Sequence, residues 1–196
     1  MNPAFHRLIP IAAGSLLLAL GALLLSGCNL LPEPQADTVR FFTLGSAAVP
    51  TPVPGGLAVR PVKLAGHLHG RDMVVRVAEH EVIYLEDVRW AAPLDSALTQ
   101  LLRARLATVG GGGTVTVEVQ RFELVRSEGN SVQLVASYTL VPAGGDKDTA
   151  PQRSFRAAPR SWDGKDTGAL VGLLADAANE LGEAIAAAAG APAEQK

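Results

Sequence analysis

The chain has 196 residues and a formal net charge of −2, with 18% of its residues charged. It holds no polybasic run, which argues against nucleic acid as a partner. A lone cysteine excludes any intramolecular disulfide.

The N-terminus carries His6 and Arg7, then an apolar run from Leu8 to Leu25, then Ser26-Gly27-Cys28. Charge, apolar core and small residues in that order make an exported signal sequence, spanning residues 1–27. The apolar run sits at the lower limit for a membrane-spanning helix, but Pro10 and the small residues before Cys28 favour cleavage after Gly27. Leu25-Ser26-Gly27-Cys28 resembles the lipobox of bacterial lipoproteins, whose cysteine thiol receives diacylglycerol. Two acyl chains, at about 0.8 kcal/mol per buried methylene, anchor a protein stably. By analogy with Gram-negative lipoproteins, Asn29 lacks the aspartate mark of inner-membrane retention, so the expected address is the outer membrane, facing the periplasm. Removing the signal takes only Arg7 from the charged residues and lowers the net charge from −2 to −3. The mature chain then suffices for one domain that buries roughly 70% of its unfolded surface.

Residues 28–38 read as a lipidated N-terminus and tether. Pro32 and Pro34 give the stretch an extended reach of roughly 30 Å at about 3.1 Å per residue. Val39–Leu44 predicts a first strand, and Ser46–Gly56, with three prolines, a loop. Leu57–Leu64 predicts one strand with Pro61 at an edge or end. Met73–Val77 and Val82–Leu85 form a hairpin about Glu79-His80. Leu94, Leu98, Leu101, Leu102 and Leu106 make one helical stripe within Pro93–Val109, which Gly110 ends. Val115, Val117 and Val119 alternate, and Phe122 and Leu124 continue one residue out of phase, so a β-bulge is expected near Gln120-Arg121. After a turn at Ser127–Asn130, Val132 to Leu140 alternates again. A short strand at Arg153–Ala157 and a helix at Asp166–Ala189 follow. That helix buries Leu170, Leu173, Leu174, Ala177, Leu181 and Ile185. Residues 39–189 thus form one α+β domain, a mostly antiparallel sheet with two helices packed on one face. Residues 190–196 are expected to be a disordered tail.

No catalytic constellation stands out, and an enzyme is not expected. Gly110–Gly113 lacks the Lys-Ser/Thr pair of a phosphate cradle and reads as a flexible connection. His67 and His69, two apart, would share one face of a strand, yet zinc requires three or four ligands and nothing completes a set with His80. Asp146 and Asp148 mark a solvated turn. Neither cofactor nor metal is expected.

The stretch from Leu57 to Leu106 resembles the ABC-type transport auxiliary lipoproteins, the PqiC-like family. The shared features are a Val-x-Pro-Val type strand, a hairpin, and Arg89-Trp90-Ala91-Ala92-Pro93-Leu94 opening a leucine-striped helix. Phe41-Phe42-Thr43-Leu44 and the alanine- and leucine-rich C-terminal helix extend the similarity. One departure is Leu68-His69-Gly70-Arg71-Asp72-Met73, where the family often has a Leu-Asp-Arg-Pro-Gln-like turn. The physics of the signature is readable by itself. Pro93 is pre-set for a first helical turn, Trp90 can bury a large surface, and Arg89 can bond carbonyls or a carboxylate such as Glu86. Locking sheet to helix and contacting a partner are both open roles for Arg89, Trp90, Pro93 and Leu94. The resemblance implies an accessory subunit of an MCE/ABC-type intermembrane phospholipid transport system that docks an MCE-domain protein at the outer membrane. Self-association would suit a tubular partner. Two other readings are a lipid-binding carrier and an assembly lipoprotein for an outer-membrane β-barrel.

Overall fold

The computed structural model describes residues 38–45 and 53–190. The expected signal, Cys28, most of the tether and residues 191–196 lie outside the described residues. Among the described residues nine strands and two α-helices follow one another. They are β1 (Arg40–Phe42), β2 (Ala58–Val59), β3 (Lys63–Leu64), β4 (Asp72–Ala78), β5 (Glu81–Trp90), α1 (Leu94–Leu106), β6 (Thr114–Val125), β7 (Ser131–Val141), β8 (Gln152–Arg156), β9 (Arg160–Ser161) and α2 (Thr167–Gly190). A single 3₁₀ turn, Gly66–Leu68, joins β3 to β4.

The sheet runs in the order β1-β5-β4-β6-β7-β8, with β2 and β3 also on β6 and β9 on β7. Its long ladders, β4–β5, β6–β7 and β7–β8, are antiparallel. Four shorter pairings are parallel, so the sheet is mostly antiparallel, as the sequence predicts, but not purely so, within the expected α+β class. The parallel pairings have one cause on the β6 side. Residues 58–76 run once along a single edge of β6, with Ala58 opposite Thr114, Leu64 opposite Val119 and Arg76 opposite Val125. Strands β2, β3 and β4 must therefore share its direction. At the sheet's margin β1 lies parallel to β5, Phe42 beside Trp90.

Where one strand was expected over Leu57–Leu64 there are two short ones, interrupted at Arg60-Pro61-Val62. Pro61 has no N–H to give a ladder. The Val62 amide instead donates to Thr99 Oγ1 of α1 at 2.9 Å, and Arg103 donates to the Val59 carbonyl at 3.3 Å. The interruption thus ties the strand edge to the helix.

The phase slip in β6 is a bulge: pairing with β7 jumps between Val119 and Arg121, skipping Gln120. As a result Val115, Val117, Val119, Phe122 and Leu124 are all buried in one core. Helix α1 buries Leu94, Leu98, Leu101, Leu102 and Leu106. Helix α2 buries Leu170, Leu174, Ala177, Leu181 and Ile185 as expected, and adds Val171, Ala178 and Gly182, whereas Leu173 is only partly buried. The helices approach closely at Gly182, where an added Cβ would stand 2.8 Å from Arg105 Cγ and 3.6 Å from a Leu102 methyl. Arg105 and Glu183 form an ion pair across this contact. The start of α2 is capped by Asp166, whose carboxylate accepts from the Gly168 and Ala169 amides at 2.9 and 3.1 Å. Gly190 closes α2 rather than opening the tail. Among the described residues, no helix is long and apolar enough to cross a membrane.

Gly110–Gly113 connects α1 to β6. At Gly113, φ is +101° and a Cβ would come within 2.3 Å of the Val141 carbonyl oxygen, so only glycine fits where the connection crosses the end of β7.

Candidate partner-binding site

The signature residues sit where three segments meet. Trp90 ends β5, and its amide donates to the Arg71 carbonyl at 2.6 Å, while the next amide, Ala91, donates to the Phe42 carbonyl at 2.8 Å. One dipeptide therefore holds both β1 and the turn before β4. The Trp90 side chain is 2% exposed, with its ring centroid 5.9 Å from that of Phe122 and the planes at 43°. Such tilted pairs add to the area term of burial. Pro93, at φ −51° and ψ 134°, precedes the first residue of α1, and Leu94 turns into the core at 3% exposure. Pro93 thus lies one position before the helical turn expected for it.

Arg89 takes a partner other than Glu86. The β4–β5 register sets Asp72 opposite Arg89, and Arg89 Nε lies 3.3 Å from Asp72 Oδ1. Both side chains are nearly half exposed, so this pair contributes little to stability. The ladder shifts between Asp72 and Val74, whose partner is Tyr84. The residues passed over on β5 include Glu86 and Asp87, both exposed.

Between the β3–β4 turn and the start of α1 is an open cleft of about 310 Å³. His69, Gly70 and Arg71 form one wall, Pro93 and Asp95 the other, and Leu64 and Leu94 the apolar lining. The turn that departs from the family pattern and the helix-opening end of the signature are therefore two walls of one site. Among the described residues the side chains of His69 and Arg71 have no hydrogen-bond or ion-pair partner. Asp95 Oδ1 is occupied by the Ser96 amide at 2.8 Å.

His67 and His69 do not share a face. The 3₁₀ turn sends His69 to the cleft and His67 to a buried carboxylate that sequence reasoning passed over. Glu123 is 0% exposed, on the side of β6 opposite Phe122 and Leu124. Arg76 of β4 donates to it twice, from Nε at 2.5 Å and Nη2 at 3.2 Å. Arg121 Nε stands 3.9 Å away and His67 Nε2 3.6 Å away. The Tyr84 hydroxyl donates to the His67 carbonyl at 3.3 Å, holding the turn from the β5 side. The charge cluster thereby fixes the base of the turn that walls the cleft. Its sequence signal was faint, a glutamate between apolar neighbours that strand alternation assigns to a solvated face. His80 lies on the exposed β4–β5 hairpin beside Glu79. Asp146 and Asp148 make an exposed turn in which the Asp148 amide donates to Asp146 Oδ1 at 3.0 Å. No group of three or more His, Cys, Asp or Glu able to hold a metal exists among the described residues.

The fold and the cleft define an α+β module that presents a surface cleft lined by apolar, basic and acidic residues. The chain matches the model of the ABC-type transport auxiliary lipoprotein component over residues 42–186 and belongs to that family. Among solved structures it is similar to an uncharacterized protein, with 19% identity and a TM-score of 0.61 over 78% of this chain and 99% of that one. It is also similar to protein XCC0632 from Xanthomonas campestris, of the DUF330 family model, with 18% identity and a TM-score of 0.58 over 75% of this chain and 92% of that one. These likenesses establish the fold alone. No curated protein matches the chain.

Proposed function

We propose that the chain is a periplasm-facing lipoprotein anchored to the outer membrane through Cys28. It serves as the accessory subunit that docks the MCE-domain component of an intermembrane phospholipid transporter. The observation that carries the docking role is the cleft, in which the helix-opening signature and the β3–β4 turn converge with unpartnered basic side chains. Family membership supports association with an ABC-type transport system. The anchor rests on the lipobox-like Leu25-Ser26-Gly27-Cys28, and the address on Asn29. A domain tethered to one membrane by about ten residues reaches only roughly 30 Å, so a bridge across the periplasm belongs to its partner. Transport chemistry and energy would likewise be supplied elsewhere in the assembly.

The test is gentle affinity purification of the C-terminally tagged full-length protein from its own membranes, with partners identified by mass spectrometry. Recovery of an MCE-domain protein, together with Cys28→Ser releasing the chain from the outer-membrane fraction, is the expected result. Recovery of a β-barrel alone would turn the reading to barrel assembly. Stoichiometric lipid without a protein partner would turn it to a lipid carrier.

A further inference from the structure

We propose that the cleft between the β3–β4 turn and the first turn of α1 receives an extended segment of the partner protein, and that Arg71 selects a carboxylate within it. This rests on the accessory-subunit reading and names the part of the partner that is held. The argument begins from charge. Arg71 carries a permanent positive charge, lies at the cleft wall, and has no ion-pair partner among the described residues. His69, two residues earlier, is likewise unpartnered and lines the same wall. The neighbouring arginines are already engaged, Arg89 by Asp72 and Arg76 by Glu123. Arg71 is thus an exposed arginine open to an incoming anion, and a planar guanidinium matches a carboxylate with two parallel bonds.

Asp95 on the facing wall restricts the choice of anion. One of its oxygens is held by the Ser96 amide, and its negative charge opposes a doubly charged phosphate monoester more than a singly charged group, so a carboxylate is told from a lipid phosphodiester by the room in the cleft and not by charge. Leu64 and Pro93 give the site an accessible apolar lining, and a cleft of about 310 Å³ is at the small end for ligand pockets. It suits one or two side chains of a peptide rather than the paired acyl chains of a phospholipid. The occupant is therefore an acidic residue beside an apolar one, the carboxylate on Arg71 and the apolar side chain on Leu64 and the exposed Pro93.

The experiment uses the full-length lipidated protein in its own membranes. A photo-crosslinking benzoyl-phenylalanine replaces His69, and in a control it replaces Gln100 on the exposed side of α1. The crosslinked peptide from the His69 position is expected to contain Asp or Glu next to an apolar residue, and the Gln100 position is expected to yield no such peptide. Arg71→Glu should lower recovery of the partner about tenfold, and changing the partner's acid to Arg should restore it. Only the Arg71 carbonyl, not its side chain, bonds Trp90, so the thermal midpoint should stay at the wild-type value. Arg71→Gln, with the charge removed and the shape kept, should weaken binding in the same direction and serves if the Glu variant misfolds. A crosslink to lipid alone, a peptide without an acid, or unchanged recovery with both Arg71 variants would overturn the proposal. If the wild type recovers the transporter and the variants recover it equally, docking lies elsewhere and the accessory role stands. If the wild type recovers no transport protein, the accessory role falls as well.

Discussion

Replacing Glu123 with alanine removes the single carboxylate that Arg76 holds through two hydrogen bonds. The Arg76 side chain is 12% exposed and Glu123 is 0% exposed, so the guanidinium would be left charged, largely dry and unpaired. Breaking a buried pair by deleting one member costs about 3–5 kcal/mol. For a domain of this size that corresponds to a fall in thermal midpoint of roughly 6–20 °C. Arg121, 36% exposed and 3.9 Å from Glu123, is better solvated and adds little to the loss. Two further variants isolate the mechanism. Arg76→Ala should cost a similar amount, because it strands the carboxylate instead. The double variant should cost much less than the sum, with a coupling of about 0.5–3 kcal/mol. The assay is equilibrium urea unfolding, repeated in 1 M salt. The exposed Arg105–Glu183 pair should be screened there, while the Glu123 contribution persists. A loss below about 1 kcal/mol for Glu123→Ala, or strict additivity with Arg76→Ala, would refute the claim that this pair holds the turn.

Trp90→Ala empties a site that is 2% exposed against Phe122 and should cost about 3–5 kcal/mol by denaturant unfolding. Loss of partner binding in that variant would accordingly report on the fold, which is why Arg71 is the better probe of the cleft. Gly113→Ala places a Cβ 2.3 Å from the Val141 carbonyl at φ +101°. It should destabilise by more than about 1 kcal/mol, measured as a shift in urea midpoint at unchanged slope. Asp166→Ala removes the cap of α2 and should cost about 1 kcal/mol, with hydrogen exchange rising first in the opening turn of that helix.

The parts of this molecule that local periodicity encodes were readable without coordinates. The leucine stripe of α1 and the slip of phase between Val119 and Phe122 are properties of neighbouring residues. A helix or a bulged strand needs only one apolar face to declare itself. Strand partnership is different, because the residues that pair lie far apart and carry no mark of their partner. Nothing near Arg40–Phe42 announces a parallel seat beside β5. Nothing at Ala58 or Lys63 shows that the chain runs along β6 before β6 is made. Arg89 finds Asp72 rather than Glu86 for the same reason: the ladder decides which carboxylate is opposite, and sequence nearness does not. Glu123 shows the limit most clearly. Alternation puts a residue between Phe122 and Leu124 on the opposite face, but whether that face meets water depends on a turn some 55 residues earlier in the chain folding over it. Composition and period determined the elements and the α+β class. Tertiary structure alone decided the mixed sheet, the buried ion pair, and the cleft that joins His69 and Arg71 to the start of α1, because each depends on which distant segments share an edge.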